Sequence, residues 1–181
     1  MSFYNYLIDY SLEYSGTVVE PVTLAEAKNY CRVSTNQDDA LITDLITQAR
    51  EAIEKATGLC IVPRIVNIWF NNPSGGFQLP YGPITYFMGL QDQNNNSVSE
   101  DNYNLRGGQY PSLVYPIWNG LSATYQSGFD CVPKDLKIAI LDQIDFDYEN
   151  RGADIERYDQ TGVCQKAWRA CQRYTRTSPI L

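Results

Sequence analysis

The sequence predicts an α+β fold: a small helical bundle of three to four helices with an inserted, mostly antiparallel β domain. Three observations carry this. Apolar residues recur at spacings of three and four in residues 41–56 and again in 136–148, the period of an amphipathic helix. Between those helices, from Ile61 to Phe129, the pattern changes to short β-branched and aromatic runs cut by Asn, Pro and Gly. A further helical pattern with a basic side follows Gly162. The predicted organisation is an N-terminal arm (1–21), a helical core (22–60 and 130–160), a β insert (61–129), and a basic C-terminal helix and tail (161–181).

Residues 1–21 are rich in aromatics: Phe3, Tyr4, Tyr6, Tyr10 and Tyr14. They read either as an extended arm lying on the body or on a neighbour, or as an ordinary edge strand. Thr23-Leu24-Ala25-Glu26 is a capping box, in which hydroxyl and carboxylate each satisfy the other residue's amide. A short helix over 24–31 follows, broken by Val33-Ser34-Thr35-Asn36. Asn36 is the expected cap of the next helix, with Asp38 and Asp39 in its first turn, where the amide ends favour anions. Leu41, Ile42, Leu45, Ile46, Ala49, Ala52, Ile53 and Ala56 form its apolar face, and Gly58 ends it.

In the insert, Ile65 to Phe70 alternates with both faces partly apolar. Short strands are expected near 77–79, 84–90, 102–105, 112–117 and 121–125, the last two joined as a hairpin by Trp118-Asn119-Gly120. Gln91–Glu100 is a polar tip or loop that either contacts a partner or stays idle. Pro133 sits at a first helical position. Leu136, Ala139, Ile140, Ile144 and Tyr148 give that helix its inward face, and Ile138 and Leu141 widen the stripe, so it is covered on more than one side. Val163, Ala167, Trp168, Cys171 and Tyr174 mark the last helix. The expected core is Leu41, Ile42, Leu45, Ile46, Ile53, Leu136, Ile140 and Ile144.

Composition narrows the function classes. The 181 residues carry a formal net charge of −7, from 21 acidic and 14 basic residues, which does not suit affinity for a nucleic-acid backbone. An acidic wall can still let DNA slide past. There is no histidine, which removes Ser–His–Asp and Cys–His catalysis and any His-based metal site. The five cysteines are widely spaced, without a C-x-x-C, and read as reduced and mostly buried. No stretch approaches a membrane-spanning run, and the N-terminus lacks the basic flank of a signal peptide, so no membrane is expected and the chain is expected to be made in the cytoplasm. The aromatic content of 13% favours subunit interfaces as well as core.

Asp142, Asp145 and Glu149 share one helix face. They read as a carboxylate pair for metal or acid–base work, or as the wet side of an amphipathic helix; such a wet side can line a DNA conduit repulsively. Lys166, Arg169 and Arg173 form a basic stripe for DNA phosphate, an acidic protein partner, or solvent. The charge is segregated. Residues 161–181 hold basic groups and no acid, whereas 130–160 are strongly acidic. The two regions either attract within one subunit or give two subunit faces of opposite sign. The pairs Gly75-Gly76 and Gly107-Gly108 lie in turns, not in phosphate loops.

The stretch VTLAEAKNYCRVSTNQDDALITDLITQAREAIEKATGLCIVPR (22–64) resembles the opening of the head–tail connector (adaptor, head-completion) proteins of long-tailed bacteriophages. Their pattern is "(V/L)TLxEAKxxLRV", a polar turn, "DDxLI", and a long helix with "AxxxxExxTGR". Cys31 stands at a usual leucine and Leu59 at a usual arginine. LPYGPI (79–84) resembles the family's "LPxxPV", and YQSGFDCVPKDLKIAILDQIDFDYENRG (125–152) resembles "YxAGY…VPxDLKxAIxxxxxxxYExRG". The resemblance implies a structural virion protein at the head–tail interface, without catalytic residues or cofactors. It implies a ring, commonly of twelve copies, under the portal protein, extending the DNA channel and joining the head to a stopper or tail-completion protein. DNA passes without specific binding. In that setting Lys166, Arg169, Arg173, Arg176, Ile180 and Leu181 are the expected portal-docking residues, and Asp142, Asp145 and Glu149 the expected channel lining. The alternatives are a stopper or tail-completion protein of the same neck, a non-viral scaffold, and a small carboxylate-dependent enzyme.

Overall fold

Helix α1 (Leu24–Tyr30) begins where the capping box forms: the Glu26 amide donates to Thr23 Oγ1 at 3.2 Å and the Thr23 amide to Glu26 Oε2 at 2.8 Å. Those bonds hold the Glu26 carboxyl below its ordinary range. The computed structural model describes residues 7–71, 76–115, 120–151 and 162–174.

The chain divides into two units, Met1–Val18 with Val62–Asp130, and Val19–Ile61 with Cys131–Leu181. The second unit is helical: α1, α2 (Asp39–Thr57), α3 (Lys134–Glu149) and α4 (Gln165–Cys171). Ile42, Leu45, Ile46 and Ile53 of α2 are buried, as are Leu136, Ile140 and Ile144 of α3 and Ala167 and Cys171 of α4. Burying each large aliphatic side chain contributes about 2 kcal/mol. Leu41 corrects the expected core. It is only half-buried, because Ile42, not Leu41, faces the inside of the first α2 turn. Gly58 closes α2 in the left-handed region (φ 69°), its amide donating to the Glu54 carbonyl at 2.9 Å.

One expected cap changes. Asn36 does not cap α2; its side-chain oxygen accepts from Lys28 Nζ at 2.8 Å, and Asp38 is the residue before the helix. The Asp38 carboxylate is engaged by the Tyr148 hydroxyl at 2.6 Å, so it makes no cap bond either. Pro133 is the N-cap of α3, as expected of a cap; its extended ψ (143°) puts it just before the helix and not at the first helical position, which Lys134 takes.

The first unit is a β structure. Strands β1 (Leu7–Tyr14), β2 (Arg64–Phe70), β3 (Gly76–Gln78), β4 (Ile84–Asp92), β5 (Asn104–Arg106), β6 (Ser112–Val114) and β7 (Leu121–Ser127) form two sheets, ordered β1-β2-β7-β4 and β3-β6-β5. Every pairing is antiparallel. Of the two readings of the N-terminal segment, residues 7–14 take the edge strand, paired along β2 from Leu7↔Phe70 to Tyr14↔Arg64. Residues 1–6 of that segment lie outside the described residues. The expected 112–125 hairpin does not form. β6 and β7 belong to different sheets, since β7 is taken up between β2 and β4.

Period-two alternation builds this core. Val66, Ile68 and Phe70 of β2 and Leu121, Ala123 and Tyr125 of β7 point inward with Leu90, Leu113 and Tyr115. Phe70 meets Tyr115 edge-on at 5.7 Å between centroids. The buried Tyr125 hydroxyl donates to the Pro80 carbonyl at 2.7 Å, and the Ser127 hydroxyl bonds the Tyr81 and Pro83 carbonyls. The Gly82–Pro83 peptide is cis. Gly128 (φ +141°) brings its backbone against Pro63, where an added Cβ would lie 2.8 Å from Pro63 Cα.

Candidate assembly surfaces

Helices α3 and α4 run antiparallel in a register that side chains fix. The Lys166 ammonium meets Asp142 Oδ1 at 2.5 Å, and the Tyr174 hydroxyl donates to Asp135 Oδ1 at 2.7 Å. The Tyr30 hydroxyl of α1 also donates to Asp142 Oδ1, and accepts from Lys166 Nζ at 3.1 Å. Asp142 is buried, and these two partners meet its polar atoms there. The hydrogen bond to Asp142 pushes the Tyr30 hydroxyl above its ordinary pKa, and the same carboxylate raises Lys166. Lys166 itself is largely wet, so the ion pair contributes no more than about 1 kcal/mol. Of the three expected lining residues Asp142 is buried and paired, Asp145 is half-buried and Glu149 is exposed.

Asp145 and Glu149 flank a groove of about 540 Å³ that also takes in Phe146, Asn150, Gln165 and Lys166. Burial first, then the Asp145 and Glu149 charges, push the neighbouring Cys31 thiol up to about 11. Burial likewise raises Cys164, and pushes Cys171 up to about 12. None of the five cysteines is in a disulfide among the described residues, and Cys131 alone of them is exposed. Arg169 and Arg173 are exposed on α4. Arg176, Ile180 and Leu181 lie outside the described residues.

The β unit offers three surfaces. Strands β1 and β4 are the two edges of the larger sheet, and two bulges interrupt β4. The outer face of that sheet carries a satisfied polar ladder: Asn67 Nδ2 donates to Ser11 Oγ at 3.2 Å, and Thr124 Oγ1 to Asn67 Oδ1 at 2.7 Å. Trp69 and Tyr86 stand exposed on either side of it. The Gln91–Glu100 segment is a built turn. The Asp92 carboxylate accepts from the amides of Asn94 (2.8 Å) and Asn96 (2.9 Å), which lower its pKa.

One site was not foreseen from sequence. Arg50 is 1% exposed inside the helical unit. Its guanidinium meets both Glu20 oxygens, at 2.8 and 3.1 Å, and Glu54 Oε2 at 2.8 Å, while Glu54 Oε1 accepts from the Ile61 amide at 2.7 Å. The signal was present: Arg50 follows Ile46 by four residues and precedes Glu54 by four, on the apolar face. Among the described residues no group of three or more His, Cys, Asp or Glu side chains is arranged to hold a metal ion, and no helix is long and apolar enough to cross a membrane.

A family model described as phage gp6-like head-tail connector protein matches residues 21–110. The C-terminal block 125–152 lies beyond that match. Comparison with curated protein sequences gives no match. Solved structures share the fold over most of the chain. A chain in the neck of an empty gene transfer agent (GTA) particle, computed with C6 symmetry, aligns with a TM-score of 0.70 at 19% identity, covering 94% of this chain and 97% of its own. Chains from the virion of a native GTA particle (TM-score 0.66) and from the neck of a native GTA particle computed with C12 symmetry (0.64) align at the same identity and coverage.

Proposed function

The chain belongs to the phage gp6-like head–tail connector family, and we propose that it is an adaptor subunit that closes with copies of itself into a ring of twelve beneath a portal. The ring extends the DNA channel and presents a platform to a stopper or tail-completion protein. The carrying observation is that the family match coincides with a fold found over 97% of the length of GTA neck chains. The C12 symmetry of one such neck supports twelve copies. A subunit ring needs a heterologous interface that closes, and the exposed sheet edges of one unit and the charged helix faces of the other suit that requirement. The net charge of −7 keeps DNA from adhering as it passes. The role is structural, not catalytic.

The test is reconstitution. Full-length protein mixed with its portal is expected to give a ring of twelve on the portal, counted by native mass and averaged images. A chain that stays monomeric and unbound overturns the reading; a ring located below another ring makes it a stopper or tail-completion protein instead.

Docking to the portal is assigned to the segment after Tyr174, which holds Arg176, Ile180 and Leu181. A truncation after Gly162 would remove α4 and its buried Ala167 and Cys171, and so would damage the core. Truncation after Tyr174 keeps them. We expect that variant to fold as the full chain does and to bind portal at least about tenfold more weakly. Undiminished binding would remove the segment from the docking surface.

A further inference from the structure

Among the described residues, the α3–α4 pair carries charges that make no ion pair at its opposite ends. Lys166 sits level with Asp142, and Tyr174 with Asp135. Asp145 and Glu149 therefore extend α3 beyond the start of α4, while Arg169 and Arg173 run back toward the start of α3. At 1.5 Å per residue the outermost groups, Glu149 and Arg173, lie roughly 20 Å apart along the axis. That is about twice the distance over which salt screens exposed charges, so they cannot neutralise one another within one chain. No ion pair among the described residues involves Asp145, Glu149, Arg169 or Arg173. Arg169 and Arg173 are also like charges four residues apart, an arrangement that is unfavourable on an isolated helix. The groove at this end, about 540 Å³, has Asp142, Asp145 and Glu149 in its wall with Phe146 and Asn150; its one lysine, Lys166, is already paired with Asp142, so Asp145 and Glu149 supply its remaining charge.

We infer that the occupant of this groove is a second copy of the chain: Arg169 and Arg173 of one subunit enter beside Asp145 and Glu149 of the next. The contact is head-to-tail, because each subunit offers one acidic and one basic end. Repeated around an axis, it is the heterologous interface that a closed ring requires. The inference rests on the ring-forming reading above and adds which surfaces meet.

The test is a charge swap in the full-length chain. R169E/R173E and D145K/E149K are expected, each alone, to need roughly tenfold more protein for half-assembly, or to stay monomeric, since like charges then meet at every interface. Mixed together they are expected to recover rings containing the two variants in a 1:1 ratio by native mass, because only unlike neighbours attract. Asp145 is half-buried, so E149K alone, at an exposed position, serves if the double variant does not fold. Assembly of each variant alone at the wild-type concentration overturns the inference while leaving the ring reading intact. So does a failure of the mixture to assemble. If these variants ring normally but alter DNA retention, the groups line the conduit instead. A wild-type chain that never forms rings overturns the ring-forming reading and this inference together.

Discussion

Replacing Arg50 with alanine is expected to destabilise the folded chain by about 3–5 kcal/mol, measured by urea or thermal unfolding followed by circular dichroism. Arg50 is fully buried and pairs with three carboxylates, Glu20, Glu54 and, at 3.4 Å, the exposed Glu51; of these Glu54 is itself buried. Removing the guanidinium leaves the Glu54 charge in a poorly solvated place and opens a cavity the size of a long side chain. For a chain of this length the loss corresponds to a fall of roughly 10 °C in Tm. The double variant Arg50→Met, Glu54→Gln is the control. It removes both buried charges, keeps an oxygen to accept from the Ile61 amide, and should recover most of the loss. A single-variant loss under about 1 kcal/mol would show that the network is wet in solution and contributes little.

Gly128→Ala is expected to destabilise by about 3 kcal/mol, from left-handed backbone strain together with overpacking. The new Cβ would sit 2.8 Å from Pro63 Cα, 2.9 Å from Pro63 N and 3.0 Å from the Val62 carbonyl carbon. All three are backbone atoms, which cannot swing aside as a side chain can. The Gly128 amide also donates to the Pro83 carbonyl at 2.9 Å, so relief by moving this residue breaks a buried bond. The same denaturation experiment reads the effect. Gly58→Ala is the comparison: it has positive φ but nothing within 4 Å of the added carbon, so it should cost only about 1 kcal/mol. Equal losses at the two positions would mean that crowding against Pro63 plays no part.

What sequence reading can and cannot reach follows from distance along the chain. The capping box at Thr23 and Glu26, the apolar stripe of α2 and the Gly58 stop are local patterns, and each was legible. Asn36 was misread because its side chain is claimed by Lys28, eight residues earlier and on another helix. Asp142 looked like wet surface because its partners, Tyr30 and Lys166, stand 112 and 24 positions away. The β insert was legible as alternation and turns, but its division into two sheets was not. An Asn-Gly pair suggests a hairpin only if the flanking strands have no better neighbours, and β7 has two. Arg50 was hidden by its own type: a charged residue on an apolar face reads as an error in the stripe until its counter-charges are seen.

The central position of β7 has a consequence for biosynthesis. As the ribosome releases the chain, β1, β2 and β4 emerge first, yet β2 and β4 meet only through a segment ending at Ser127. Until some two-thirds of the polypeptide has been made, the larger sheet has exposed inner strands and no middle. Long-range pairing of this kind delays folding and leaves sticky intermediates open to one another. A crowd of nascent copies in one infected cell would meet that hazard together, so a slower translation rate or a holding chaperone should raise the yield of soluble subunit.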